Sequence, residues 1–94
     1  MVHEPARLAI LSALSAAQEI DFLFLQKLTD LSKGNLSSHT QKLEEAGYLQ
    51  TIKAFRGRTP ATTFRITIAG RVALENYQNK MKAFLEASLR KEDA

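Results

Sequence analysis

The stretch Ser32-Lys33-Gly34-Asn35-Leu36-Ser37-Ser38-His39-Thr40-Gln41-Lys42-Leu43-Glu44-Glu45-Ala46-Gly47 decides how this chain of 94 residues is to be read. Ser32 is suited to cap a helix, because its hydroxyl can accept from an amide that the first turn leaves unpaired. Gly47 suits the left-handed exit, so the stretch predicts a helix from Ser32 to Ala46. At 100° per residue Leu36, Thr40 and Leu43 share one face, with His39 and Ala46 at its edge. Gly34, Ser38, Gln41 and Glu45 fall opposite, flanked by Asn35, Ser37 and Lys42. The outward face is small and polar near its start, where a helix can approach another surface closely.

Beyond Gly47 the period changes. Tyr48 to Phe55 and Thr62 to Thr67 are rich in aromatic and β-branched residues, and Arg56-Gly57-Arg58-Thr59-Pro60-Ala61 between them is a turn-rich connector. This predicts a two-stranded hairpin with a basic tip. Phe64 and Ile66 alternate with Arg65, so the apolar pair is expected to face the core and Arg65 to face out.

Before Ser32, Pro5 suits a first helical turn, and Leu8, Leu11 and Leu14 with Ile10 predict an amphipathic helix to about Ser15. Ala16 to Ile20 reads as a connection, with a short extended piece at Glu19–Asp21. Asp21 can cap a second helix from Phe22 to about Asp30. Its Phe22, Leu23, Phe24, Leu25 and Leu28, with Leu31 following, exceed one stripe, so this helix is expected to be largely buried. Thr67 can cap a final helix, Ile68 to about Arg90. Leu74, Tyr77, Met81, Phe84 and Ser88 are spaced 3, 4, 3 and 4 along it, widened by Leu85 and Leu89. Such a helix is about 34 Å long. A globule of this size has a radius of gyration of about 12 Å. The helix therefore outruns its own domain, and Leu74, Tyr77, Met81, Phe84, Leu85 and Leu89 are the candidate dimer interface.

The length predicts one domain, residues 1–94. A composition 45% hydrophobic and 24% charged is that of a folded chain. No apolar run of about 18 residues is present to cross a bilayer, and Met1 to Ala17 reads as no secretory signal. Zero cysteines exclude a disulfide framework, a thiol nucleophile and a cysteine zinc site. The net charge of +3 is uneven. Residues 1–31 carry −2 and residues 72–94 cancel. Residues 32–71 carry seven cations (Lys33, Lys42, Lys53, Arg56, Arg58, Arg65, Arg71) against Glu44 and Glu45, or +5. That is the pattern of a localised polyanion-binding surface.

The second and third helices, joined by a tight turn around Leu31–Lys33, form a helix-turn-helix, and the hairpin beside them forms a wing. The expected class is mainly α with a β-hairpin wing. A helix with a small polar N-terminal half fits a major groove about 12 Å wide, and a basic loop beside it reaches phosphates or the minor groove. Lys33, Asn35, Ser37, Ser38, Gln41 and Lys42 are the candidate recognition face. Asn35 and Gln41 have the amide geometry for an adenine edge, Lys42 suits guanine or phosphate, and the serines suit either. On the wing, Arg58 is the minor-groove candidate, Arg56 and Lys53 phosphate contacts, and Arg65 a further one.

His3-Glu4-Pro5-Ala6-Arg7-Leu8-Ala9-Ile10-Leu11 resembles the first helix of arsenical-repressor-type regulators. Gly34-Asn35-Leu36-Ser37-Ser38-His39 and Leu43-Glu44-Glu45-Ala46-Gly47-Tyr48 resemble the recognition helix and its exit there and in multiple-antibiotic-resistance-type regulators. Arg56-Gly57-Arg58-Thr59-Pro60 resembles the wing tip, and Ile66-Thr67-Ile68-Ala69-Gly70-Arg71 the passage into the last helix. The resemblance covers residues 3 to about 80. It implies a homodimeric, double-stranded-DNA-binding winged helix-turn-helix transcriptional regulator in a prokaryotic cytoplasm. Thr40 stands where relatives usually carry leucine, which implies looser packing or an internally bonded hydroxyl. Arsenical-type metal sensors commonly use a cysteine pair, so metal sensing does not carry over.

His3 and His39 lack metal-ligand spacing, and Ser38 and His39, as helix neighbours, do not face each other as a nucleophile and base would. No phosphate loop, dinucleotide fingerprint or nucleophile elbow occurs. The sequence therefore predicts no enzyme, metal or cofactor, and no polar constellation identifies an effector. Arg71, early in the last helix, reads as a local salt-bridge partner. The alternative to DNA binding is a winged-helix module for protein contacts, which should expose apolar residues on its third helix.

Overall fold

A computed structural model describes residues 2 and 4–93, with side chains through residue 90; His3 lies outside the described residues. The helices are α1 (Pro5–Ala16), α2 (Phe22–Thr29), α3 (Lys33–Glu45) and α4 (Ile68–Asp93), and the strands are β1 (Ile20–Asp21), β2 (Leu49–Arg56) and β3 (Thr59–Ile66). This is the expected winged helix: mainly helical, with a hairpin wing and a long C-terminal helix.

Local chemistry sets most boundaries. Glu4 caps α1, its carboxylate accepting from the Arg7 amide at 3.0 Å, and Pro5 opens the first turn. Slight burial pushes the Glu4 carboxyl up. The Arg7 and Ala6 amides and the nearby His39 and Arg7 outweigh this and hold it below its ordinary value. Asp21 caps α2 by accepting from Phe24 N at 2.8 Å. That helix stops at Thr29, one residue earlier than the sequence suggests, because Asp30 turns left-handed at φ 56° and donates its amide to Gln26 O. Ser32 caps α3 through Asn35 N at 3.1 Å, and Gly47 leaves it at φ 81°.

α1 lies at the centre of the core. Its Ile10, Leu11 and Leu14 are fully buried against Leu25 of α2, Leu36 and Leu43 of α3, Leu49 and Phe64 of the sheet, and Leu74 of α4. Each such leucine contributes about 1.5–3 kcal/mol through burial. Thr40 is 4% exposed, and its hydroxyl donates to the Leu36 and Ser37 carbonyls at 2.9 and 3.1 Å. The helix itself thus satisfies the polar group that replaces a leucine.

Three expectations are corrected. α2 is not largely buried: Leu23, Phe24 and Leu28 are more than half exposed. Eight residues across one layer bury only one face, that of Leu25 and of Phe22, whose ring meets Phe64 at a centroid distance of 6.1 Å. The connector 56–61 is mostly strand, because Gly57 at φ 64° allows a two-residue turn, Gly57-Arg58. Pro60 fits within β3 because β1 pairs with that strand only at Phe64 and Thr63, which leaves no third strand beside the proline. Among the described residues, Arg71 makes no salt bridge. Its guanidinium donates to the Ser15 carbonyl and hydroxyl at 3.3 and 3.4 Å, at the C-terminal end of α1 where carbonyls lack helical partners.

Thr67 joins the hairpin base to α4. Its hydroxyl donates to Gly47 O at 2.6 Å and accepts from Gly70 N at 3.0 Å, while its amide donates to Tyr48 O at 3.0 Å. α4 then runs past the domain, giving a radius of gyration of 15.7 Å and extents of 63 × 25 × 20 Å.

A Cβ on Gly70 would collide with the Tyr48 carbonyl and press on Ile66 Cγ1. Gly70→Ala is expected to destabilise the fold by about 1–3 kcal/mol. Thermal melting should show a fall of roughly 4–8 °C per kcal/mol.

Candidate nucleic-acid interface

With Leu36, Thr40 and Leu43 turned inward, Lys33, Asn35, Ser37, Ser38, Gln41 and Lys42 are all exposed on α3. They divide into two rows. Lys33, Ser37 and Gln41 line an open groove of about 1050 Å³ between α3 and the wing, and Lys53, Arg56 and Thr59 form its far side. Asn35, Ser38 and Lys42 lie outside that lining, as their angular offset on the helix dictates. The fold thus brings half of the candidate recognition face together with two wing cations. Arg58 occupies the turn itself, next to Gly57.

Arg65 sits apart from this cluster. Its side chain faces out from β3, as alternation requires, but its guanidinium is bound by the Glu19 carboxylate just before β1. Sequence distance hid this pair, because residues 19 and 65 meet only once β1 adds to the sheet.

Two acidic residues on α3 were not singled out by sequence reasoning. Glu44 lines the groove, and its Oε2 accepts from the Thr51 amide on β2 at 3.0 Å. Its carboxylate ties the end of α3 to the wing, and the arrangement has no sequence signature. Glu45 accepts from Gln41 Nε2 at 3.5 Å, a long bond that biases the amide along the helix surface. His39, at the edge of the buried stripe, accepts at Nδ1 from Arg7 Nε at 3.3 Å and lies 3.6 Å from Glu4 Oε2. This histidine is a polar link between α1 and α3. Among the described residues, no group of three His, Cys, Asp or Glu is placed to hold a metal ion.

A second surface lies along α4. Leu74 is buried and Tyr77 half-buried against α1, but the same stripe continues outward as Met81, Phe84, Leu85 and Leu89, with Phe84 65% exposed. Near the crossing of α1 and α4, Leu8, Ser12, Tyr77, Met81 and Leu85 frame a shallow groove of about 460 Å³. Among the described residues, no helix is long and apolar enough to cross a membrane.

Comparison with known proteins agrees with this geometry. The winged helix DNA-binding domain family matches residues 6–85. An uncharacterized protein of Methanocaldococcus jannaschii is 40% identical over 72 residues, 76% of this chain and 77% of that one. A transcriptional regulator homologue from Pyrococcus horikoshii superposes with a TM-score of 0.86 at 32% identity, covering 92% of this chain and 85% of that one. A MarR family regulator from Silicibacter pomeroyi shares the fold at a TM-score of 0.70 and 22% identity, over 84% of this chain and 51% of its own. The likeness to MarR- and ArsR-type regulators is borne out at the level of the fold, since solved members of both superpose.

Removing the Glu44 carboxylate leaves the Thr51 amide without its partner. In Glu44→Ala that amide is expected to exchange with deuterium about tenfold faster or more, while core amides of α1 keep their protection. NMR-detected exchange measures both in one experiment.

Proposed function

This chain belongs to the winged helix DNA-binding domain family, and on that premise we propose that residues 1–94 form one domain acting as a homodimeric transcriptional regulator on a palindromic duplex site. The observation that carries this reading is the groove where Lys33, Ser37 and Gln41 of α3 stand alongside Lys53 and Arg56 of the wing. In the proposed complex α3 enters the major groove. Gln41 and Asn35 read base edges, Lys42 and the serines contact bases or phosphates, and the wing follows the backbone with Arg58 at the adjacent minor groove. Arg65 is the weakest of the candidates, because Glu19 already neutralises it. The protein acts by binding, without catalysis, in the cytoplasm. Apart from Leu36 and Leu43, which are buried, α3 carries no large apolar residue to expose, which favours DNA over a protein partner on this face.

The second half of the proposal is pairing through α4. The Met81, Phe84, Leu85 and Leu89 surface continues a stripe whose first residues are already buried, and an isologous partner would cover the remainder. A two-fold axis there would set two recognition helices about 34 Å apart, one turn of DNA.

Arg58→Ala is expected to weaken binding to cognate and scrambled duplexes about equally and to reduce the salt slope by about 1. Gln41→Ala instead relaxes base preference, costing about 1–3 kcal/mol at one half-site position. Footprinting followed by salt titrations separates the two effects, and unchanged affinity in both variants would refute the docking face. Combined Met81→Asp and Phe84→Asp should yield a folded monomer with weaker operator affinity, as read by light scattering and duplex binding. A wild-type protein that is monomeric at micromolar concentration yet binds a full palindrome tightly would refute the dimer.

A further inference from the structure

We propose that Phe55 is an apolar DNA contact of the wing, seated with Pro60 in the minor groove beside the half-site. This rests on the DNA-binding reading above and adds a residue that charge and polarity do not point to. Phe55 is 72% exposed near the end of β2, so the core makes little use of it. The register sets it opposite Pro60, one rung below the Arg56–Thr59 pair and next to the Gly57-Arg58 turn. β1 pairs with β3 only at Phe64 and Thr63, so this end of the ribbon has no third strand and projects on its own.

Its orientation follows from the pleat. Successive side chains of β2 alternate faces, so Leu49, Thr51, Lys53 and Phe55 share one. Leu49 is buried in the core, and Thr51 and Lys53 line the groove shared with α3. By alternation Phe55 shares the face of these three but lies beyond the groove lining, which Arg56 reaches from the opposite register with its long side chain. Facing residues across the ribbon extend that face as Phe64, Thr62 and Pro60.

Charge selects the occupant. Lys53, Arg56 and Arg58 flank the aromatic within six residues of sequence, and no acidic residue lies in Thr51–Ile66. An apolar side chain on a ribbon end that carries three cations fits a surface with anionic edges and apolar walls. A minor groove about 6 Å wide offers deoxyribose walls between two rows of phosphates. Phenylalanine and proline are among the side chains that proteins insert there. A cross-strand Phe55–Pro60 pair that served only to stiffen the ribbon would be indifferent to DNA.

The chain contains no tryptophan, so Phe55→Trp places a single indole at this position. The probe is a duplex of roughly 30 base pairs, about three helical turns, centred on the region that wild-type protein protects in footprinting. Phe55→Trp is expected to bind within about threefold of wild type, and its emission to become several-fold less quenchable by acrylamide on saturation with duplex. Phe55→Thr keeps a strand-forming residue and is expected to lose about tenfold in affinity at every salt concentration, with the slope unchanged because no charge is removed. Wild-type affinity in Phe55→Thr, or an indole equally quenched free and bound, would overturn the proposal. The second result combined with weak binding by Phe55→Thr would make Phe55 a ribbon stiffener. If wild type protects no duplex, the DNA-binding reading falls and this one with it. If wild type binds and Phe55 is indifferent, only this inference falls.

Discussion

The Thr67 hydroxyl closes the base of the wing. It donates to Gly47 O, just past the end of α3, and accepts from Gly70 N, in the first turn of α4. The Thr67 amide meanwhile holds Tyr48 O, so both strands of the hairpin leave from one hydrogen-bonded point. Gly70 packs so closely against the Tyr48 carbonyl that no side chain fits between. The direction of the wing relative to α3, and of α4 relative to both, depends on this junction. Without it Lys33, Ser37 and Gln41 of α3 and the wing cations Lys53 and Arg56 would not share a groove.

The other constraint is the narrowness of the stripe that α3 buries. Only Leu36, Thr40 and Leu43 of that helix are buried, and the middle one is polar. The stripe is enough to seat α3 on α1 because Thr40 returns its hydroxyl to the helix carbonyls and leaves no unpaired group in the core. A wider apolar face would have drawn more of the helix inward. What remains outside is small and polar, and Glu44 then braces the C-terminal end of α3 against β2.

Charge was legible as a total but not as an arrangement. The excess of +5 over residues 32–71 marks the stretch that carries the cations of the groove and the turn. Two of those seven cations nonetheless have other engagements: Arg65 with Glu19, and Arg71 with the end of α1. Both partners are more than 40 positions away, and no local pattern could reveal them. The ones that remain on the groove and turn, Lys33, Lys53, Arg56 and Arg58, belong to elements whose ends were marked by Ser32 and Gly57.

Element order, the caps at Asp21, Ser32 and Thr67, the buried triplet of α3 and the outrunning stripe of α4 follow from the sequence alone. Each rests on short-range chemistry: a hydroxyl or carboxylate three residues before an amide, or a period of 3.6. Tertiary structure decided what depends on meeting a distant partner. It left Leu23, Phe24 and Leu28 outside, because an eight-residue helix can bury only one face. It extended the hairpin through Thr59 and Pro60, because strand pairing outweighs turn-like composition where Gly57 closes the loop in two residues. It set Glu19 on Arg65 and Glu44 on Thr51, since the positions of charged side chains depend on which backbones pack together, and sequence periodicity carries no record of that.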